Sequence, residues 1–259
     1  MSTASTKPWA DGPFPLIIPP SSKPDTIRDD FTEAATQMSL VHNAIIRHLN
    51  SIYLQAPHLV PADTADFLIY TRSWISFLNA HHSGEEAHFF PSIARATGRD
   101  DLMSVNISQH AVFHTGLEAL ETYIASCTPE SFDATKLVSL VDAFAPALLQ
   151  HLHEEIPTLE KLREFKGKLD ILKLCEEEAQ MVMRGCEMQT TLVGFIVNLD
   201  KGFENGRYRE FPPVPWVVNL LLRVWATWKW RGAWRFASCD KWGRRKELFR
   251  IGEVTGKEC

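Results

Sequence analysis

Two His-x-x-x-Glu pairs on apolar stripes are the strongest chemical signal in the sequence: His81 with Glu85, and His151 with Glu155. Residues four apart lie one turn apart on the same face of an α-helix, so each pair presents an imidazole nitrogen and a carboxylate oxygen to one point. Such ligands suit iron, zinc, manganese or copper. The other candidate ligands are histidines on further segments of helical period: His42, His110 and His114.

Helices are needed to bring these side chains together. Apolar residues recur at steps of three and four over four long segments, residues 25–53, 62–91, 101–126 and 134–165, which predicts amphipathic helices. Asp25 or Thr26 is expected to cap the first helix. Pro91 is expected to stop or kink the second helix, and Pro146 and Pro157 to bend the fourth or delay its start. We predict an all-α fold, an antiparallel up-down-up-down four-helix bundle whose inward histidines meet in one layer.

The joint burial of acids and histidines favours a metal site over ordinary core packing. A single inward histidine is usually a hydrogen-bonded core residue. Here all four helices place a histidine on the apolar stripe, and buried carboxylates without compensation would each cost several kcal/mol. A metal ion supplies the compensating charge. Catalytic zinc generally takes three protein ligands, so six or seven candidates predict two metal ions, bridged by Glu85 and Glu155.

The register of the second helix leaves an alternative open. His82 and Glu86 have the same spacing as His81 and Glu85, but the latter pair continues the apolar seam of that helix and is preferred. Glu155 is preferred to its neighbour Glu154 as a metal ligand, because only Glu155 lies one turn from His151. The histidines that we expect outside the site, on the surface or in supporting positions, are His48, His58, His88 and His153.

The composition excludes several other classes of protein. The chain has 259 residues, of which 45% are hydrophobic and 23% charged, so disorder throughout is excluded. A net charge of -5 argues against nucleic acid as a partner. No apolar run reaches the roughly 18–20 residues of a membrane-spanning helix. The five cysteines form no C-x-x-C pair, and no secretory signal is recognisable, so we expect a cytoplasmic location.

The two ends differ in composition from the predicted bundle, residues 25–165. Residues 1–24 hold six of the fifteen prolines and predict an extended arm. Residues 166–259 form a C-terminal extension, expected to pack on the bundle. Its last part, residues 216–259, is here called the Trp-rich tail: it holds six of the eight tryptophans, and ten Lys and Arg against four acids. We interpret residues 216–228 as an amphipathic helix that caps a hydrophobic end of the fold; a peripheral membrane contact or an RNA contact is the alternative.

The bundle segment resembles a known family, the hemerythrin-like (HHE) cation-binding domain. The matching residues are His42, the run His81-His82-Ser83-Gly84-Glu85-Glu86 with Phe90-Pro91, the pair His110-x-x-x-His114, and His151-Leu-His-Glu-Glu155. The resemblance covers residues 25–165. A weaker resemblance, in Gly232-Ala-Trp-Arg-Phe236 and Cys239-Asp240, links the tail to the C-terminal extension of fungal members.

The resemblance implies a centre of two non-haem iron ions bridged by Glu85 and Glu155. It implies terminal ligands at four histidines: His42, His81, His110 and His151. His114 matches an additional histidine of oxygen-carrying members. If it is a ligand, one coordination position stays open for dioxygen; if it is not, the centre is more open and better suited to catalysis. Zinc and manganese are less expected than iron.

Three functions remain open from the sequence. The first is a protein that binds or activates dioxygen, or handles iron, at the di-iron site. The second is a di-iron oxygenase or oxidase that acts on a small organic substrate, an oxidoreductase whose reducing equivalents come from elsewhere because no G-x-G-x-x-G fingerprint is present. The third is an interaction protein in which the metal is structural and the Trp-rich basic tail meets a partner or a membrane.

Overall fold

The computed structural model describes residues 9–251, and over these residues the secondary structure is helical without β-strands. This confirms the predicted all-α class. The longer helices are Asp30–Gln55 (α1), Thr64–Gly84 (α2), Phe90–Thr97 (α3), Ser104–Ser126 (α4), Ala134–Lys161 (α5) and Ile171–Gly185 (α6). The shorter α-helical segments are Val193–Ile196, Phe203–Gly206, Trp216–Leu220 and Thr227–Lys229. The π-helical turns are Glu85–Phe89, Met188–Leu192 and Leu221–Ala226, and the 3-10 turns are Pro20–Ser22, Ala56–His58, Pro61–Asp63, Leu162–Phe165 and Ala233–Phe236.

Four helices surround a common core. Helix α5 packs against α1 and α4, and α2 packs against the same two helices from the other side. Each of the four contributes fully buried aliphatic or aromatic side chains to one hydrophobic cluster. The arrangement is a helical bundle, as the four amphipathic segments predicted.

The first helix begins later than the sequence suggested. Its N-cap is Asp29 rather than Asp25 or Thr26, and the Asp29 carboxylate accepts a hydrogen bond from the Thr32 backbone N–H at 3.0 Å. The hydrogen bond from Arg163, which follows α5, lowers the pKa of Asp29 to about 2. The cap therefore also ties the start of α1 to the end of the bundle.

The three helical prolines have different outcomes. Ahead of Pro91, α2 gives way to the π-helical turn Glu85–Phe89, and the helix then continues as α3 through Thr97. A π-turn of this kind is common at functional sites. Helix α5 contains both Pro146 and Pro157, so the idea that either proline delays its start is wrong.

The described part of the N-terminal arm lies against α1. Asn43 exchanges two hydrogen bonds with the backbone of Ile17, at 2.7 and 2.8 Å. Asn50 accepts from the Phe14 N–H and donates to the Ala10 carbonyl. Residues 9–29 contain turns and the 3-10 turn Pro20–Ser22. The rest of the predicted arm, residues 1–8, lies outside the described residues.

The C-terminal extension contacts the bundle through specific polar groups. Asn198 accepts hydrogen bonds from the hydroxyls of Tyr70 on α2 and Ser238 in the tail, both at 2.9 Å. Arg235 pairs with Asp63 and Asp66 at the start of α2. Helix α6 packs on α1 and α2. Among the residues that the structure describes, every helix is too short or too polar to cross a membrane.

Candidate metal centre

Two groups of buried ligand atoms share a single carboxylate in the middle of the bundle. One group is formed by His42, His81 and Glu85. The other is formed by His82, His110, His151 and the same Glu85. Within each group the potential ligand atoms lie within 4.8 Å of one another.

Glu85 faces both groups with separate oxygens. Its Oε1 lies 3.3 Å from Nε2 of His81, and its Oε2 lies 3.5 Å from Nε2 of His110. Glu155 occupies a similar position, since its Oε2 lies 3.4 Å from Nε2 of His42 and 3.9 Å from Nε2 of His151. Two carboxylates between two sets of imidazoles are a donor set that could hold metal ions.

Hydrogen bonds from the far side of three rings fix their orientation. His42 donates from Nδ1 to the Leu152 carbonyl at 2.8 Å, and His110 donates from Nδ1 to a carboxylate oxygen of Glu86 at 2.7 Å. Nδ1 of His151 lies 3.4 Å from the Gln109 side-chain oxygen. In each case Nε2 is left facing the middle of the site. Metal-binding histidines usually have such a partner on the second nitrogen.

Several inward polar atoms lack a hydrogen bond, although Nε2 of His42 pairs with Nε2 of His81 at 3.2 Å and Nε2 of His110 pairs with Nε2 of His151 at 3.0 Å. Both oxygens of Glu85, of Glu155 and of a third acid, Glu178, are buried without a hydrogen bond, as is Nε2 of His82. Leaving so many buried polar atoms unpaired is costly. The residues present therefore fit a pair of metal ions, which would satisfy these atoms.

Burial also keeps the cluster uncharged without a metal. It raises the pKa of Glu155 and of Glu178 to about 8, and it raises the pKa of Glu85 well above the usual range, aided by the charge of Glu155. Burial lowers the pKa of His42 to about 3 and that of His81 well below its usual value. Without a metal, the acids therefore favour their protonated form and the histidines their neutral form. Metal ions would supply the positive charge that favours ionised carboxylates.

Six of the seven residues predicted from the sequence meet at this centre, and His114 does not. The seventh, His114, has a side chain that is 61% exposed and lies 3.6 Å from Glu118 on the outer face of α4. The inward placement expected for it is wrong. The buried stripe of α4 instead passes through His110, Phe113 and Leu117, so the step after His110 is three residues rather than four.

His82 takes part where the sequence reasoning favoured only His81. On an α-helix Glu85 lies about 40° from His81 and about 60° from His82, on opposite sides. Both rings can therefore reach the same carboxylate, and each belongs to a different group. Glu86 faces outward, with a side chain that is 47% exposed, and supports His110. The sequence reasoning treated His81 and His82 as alternatives, whereas both histidines point to the centre.

Glu178 was missed altogether. It lies on α6 in the C-terminal extension, and its relative exposure is 7%. Its charge raises the pKa of both Glu85 and Glu155. Gly84 permits this close approach, because a Cβ there would lie 2.6 Å from Glu178 Oε1. The available signal was a carboxylate on the apolar stripe of α6, whose other members are Ile171, Leu174, Cys175 and Val182.

The remaining histidines and the nearby aromatic residues lie as follows. His48 is buried and donates a hydrogen bond to the Tyr70 carbonyl, and His153 donates one to the Pro15 carbonyl. His58 and His88 are exposed.

Phe113 packs against three rings of the site, His82, His110 and His151. Phe77 stacks near His81, whereas Trp74 stacks on Phe144. Phe77 and Phe113 thus border the site directly.

Comparison with known proteins agrees with this site. The hemerythrin HHE cation-binding domain matches residues 34–162, the segment that contains the bundle. The chain is 37% identical over 258 residues to the dimeric xanthone biosynthesis cluster protein R11 of Cryptosporiopsis sp. (strain 8999), covering 97% of both chains. No solved structure matches. The fold and site define a helical-bundle protein with a buried cation-binding centre. The chain belongs to the hemerythrin HHE cation-binding family.

Proposed function

We propose that the chain is a non-haem di-iron protein that binds and activates dioxygen at this centre. The observation that carries the proposal is Glu85, which turns one oxygen to His81 and the other to His110, at 3.3 and 3.5 Å. A carboxylate in this position can bridge two ions. Nitrogen and oxygen ligands without sulfur suit iron, with zinc or manganese as less favoured occupants.

The proposed ligands divide between two ions. His42 and His81 would hold one ion, and His82, His110 and His151 the other. Glu85 and Glu155 would bridge them. When bound, two ferrous ions would supply the two electrons for a two-electron reduction of dioxygen. The chain contributes the burial that excludes water and the outer hydrogen bonds that fix the imidazoles.

Glu178 is proposed as a third carboxylate of the same centre. Both of its oxygens are buried without a hydrogen bond, and it lies close enough to Glu85 and Glu155 to raise the pKa of both. His114, in contrast, is left out of the proposed ligand set because of its exposure. The centre would then contain more carboxylate than the sequence suggested.

An oxidation of an organic substrate is the second candidate function. It is favoured by the relative whose name places it in a dimeric xanthone biosynthesis cluster, since the match runs along 97% of both chains. The chain would then be a di-iron oxidoreductase, and an external reductant would restore the ferrous state after each turnover. A third possibility, a purely structural metal, has less support because an unpaired carboxylate such as Glu178 is not needed for it.

Iron loading tests the proposal directly. Protein prepared without metal is given ferrous iron under argon, and bound iron per chain is measured before and after exposure to oxygen, with Mössbauer spectra. We expect about two ions per chain. Glu85→Gln should retain one ion or none, whereas the matched control Glu118→Gln, at an exposed carboxylate, should retain both. Binding of zinc alone, or full iron loading in Glu85→Gln, would contradict the proposal.

Reversibility separates the two candidate functions. Oxygenated protein that returns to its original spectrum under argon supports binding without catalysis. Irreversible oxidation, with oxygen uptake that depends on an added reductant and an aromatic substrate, supports the oxidoreductase. A protein that binds two iron ions but does not consume or bind oxygen would leave only metal handling.

A further inference from the structure

A continuous apolar stripe on the Trp-rich tail faces away from the protein. The segments Trp216–Leu220, Leu221–Ala226 and Thr227–Lys229 follow one another without a break and are here called the aromatic helix. Its exposed apolar residues are Trp216, Val217, Val218, Leu220, Leu221, Val224, Trp225 and Trp228. The three tryptophans are 76%, 58% and 74% exposed, respectively. The helix was interpreted as a cap on the hydrophobic core: Leu222 and Ala226 do belong to that core, whereas most of its apolar residues stay exposed.

The opposite side of the aromatic helix is anchored in the protein. Leu222 and Ala226 are buried there. Arg223 is buried as well, and it donates from Nη1 to the Lys241 carbonyl at 2.6 Å and from Nε to the Asn219 side chain. Asn219 lies on the same helix, so the bond to the Lys241 carbonyl is the one that fixes the rotation of the helix against the protein. The outward orientation of the apolar stripe is thus built into the fold.

Basic residues accompany this stripe. From residue 216 to residue 251 the chain carries nine Lys and Arg and two acids. Lys229, Arg231, Lys241 and Arg244 are exposed. Trp242, which follows the Lys241 carbonyl that Arg223 holds, is 45% exposed.

A cavity of about 680 Å³ lies beside the same segment and continues the positive charge. Its basic lining residues are Lys201, Arg209, Arg244 and Arg245, and Trp242 lines it too. Asp200 also lines it and pairs with Arg245 at 2.8 Å. The cations that line it give this open cavity the charge to attract an anionic headgroup.

We infer that the aromatic helix and its basic surroundings form a surface that binds peripherally to an anionic phospholipid bilayer. Tryptophans favour the boundary between headgroups and acyl chains, and an amphipathic helix can lie in that boundary with its apolar side buried. The exposed cations would meet the anionic headgroups. A second copy of the chain is a poorer occupant, because the cations that surround each stripe would then face one another.

Vesicle co-sedimentation of the full chain tests this inference. We expect binding to vesicles of phosphatidylcholine with phosphatidylserine, and weaker binding to phosphatidylcholine alone. Raising the salt from about 0.02 M to about 0.15 M should weaken the binding, because it screens charges near a surface. Absence of binding to the anionic vesicles at low salt would overturn the inference.

Substitutions locate the contact. Each of Trp216→Ser, Trp225→Ser and Trp228→Ser should lower the vesicle partition coefficient by about tenfold. The matched control is Ile107→Ser with Val112→Ser, at exposed apolar residues of α4, and it should leave partitioning unchanged. Circular dichroism and bound metal per chain show that each variant folds.

Two further experiments test the role of charge and the alternative that the stripe joins two copies of the chain. Lys241→Glu with Arg244→Glu should reduce binding to anionic vesicles by at least about tenfold; equal binding would show that charge has no part. Light scattering gives the oligomeric state of the variant that combines Trp216→Ser, Trp225→Ser and Trp228→Ser. If the variant changes that state and vesicle binding stays the same, the stripe is a contact between copies of the chain and the inference fails.

Discussion

Removal of the metal should make the stability of the folded protein fall as the pH rises above neutrality. The cause is the pair Glu155 and Glu178, whose pKa values burial raises to about 8 from an ordinary 4.5. An unfolded chain ionises these acids near pH 4.5, whereas the folded, metal-free chain holds their protons up to about pH 8. The stability they allow is therefore fully present below pH 4.5 and is lost as the pH rises to about 8.

The size of this loss follows from the two pKa values. Each group changes the free energy of unfolding by up to about 1.4 kcal/mol per pH unit while it is protonated only in the folded state. Between about pH 6.5 and pH 8 the two groups together should remove about 3 kcal/mol. For a protein of this size that corresponds to a decrease in Tm of roughly 6–12 °C.

The histidines act in the opposite direction at lower pH. Burial lowers the pKa of His42 to about 3, and those of His81 and His82 well below the usual 6.5. The unfolded chain binds protons at these positions below pH 6.5, and the folded chain does not, so stability falls as the pH falls. Metal-free protein should therefore be most stable near pH 6.5. With metal bound the carboxylates are ionised in the folded state, and the loss above pH 6.5 should disappear.

Thermal unfolding followed by circular dichroism from about pH 5 to about pH 9 measures this effect, at constant ionic strength. Metal-free protein is compared with iron-loaded protein, and Glu178→Gln serves as the matched variant. In the metal-free state that variant should show a smaller loss above pH 6.5, because Glu155 and Glu85, whose pKa values are also raised, remain. A Tm that stays constant from pH 6.5 to pH 8 without metal would refute the reasoning, and so would an equal decrease in the iron-loaded protein.

Four other substitutions have expected outcomes. His82→Ala should lose about one of two iron ions per chain, whereas His114→Ala should keep both, as metal analysis measures; equal loss in both would contradict the proposed ligand set. Glu178→Leu should stabilise the metal-free protein at pH 7, because it removes a buried acid without a partner, and unfolding in urea checks this. Gly116→Ala should destabilise the protein by about 1–3 kcal/mol, since its Cβ would lie 2.6 Å from Phe144 Cβ; an unchanged urea midpoint would show that α4 and α5 can move apart.

The fold was predictable wherever local spacing determines it. Period and capping residues predicted four long helices, and the stripes through His42, His81 and His151 predicted which faces turn inward. Inward histidines one turn from Glu85 and Glu155 then predicted where the polar residues meet. These inferences needed only the geometry of a single helix, because a residue four places along the chain always lies on the same face.

Two features of the site depend on finer geometry. On α4 a stripe through His114 and one through Phe113 differ by one residue, and packing chose the larger apolar side chain for the core. On α2 the two histidines flank Glu85 on either side, so a search for a single best register discards one of them. Successive residues of an α-helix lie about 100° apart. Periodicity within one helix is therefore too coarse to choose between neighbouring residues at these positions.

Glu178 and the aromatic helix depend on how distant parts of the chain pack. Nothing within α6 says that it lies on α2, and the contact exists because Gly84 lets the Glu178 carboxylate approach. The apolar stripe of the aromatic helix has the period of a core-facing helix, yet Arg223 turns that stripe outward. A periodic pattern indicates that one face is apolar, and does not say what covers it.

The origin of Glu178 bears on which part of the chain makes the centre. The family match ends at residue 162, before α6 begins, whereas the relative matches along nearly the whole chain. A buried, unpaired acid is costly to keep unless it has a partner, and the partner available to Glu178 is the proposed metal pair between Glu85 and Glu155. Under this proposal the C-terminal extension would be part of the metal centre as well as its cover. It would join a third carboxylate on one side to a lipid-binding face on the other.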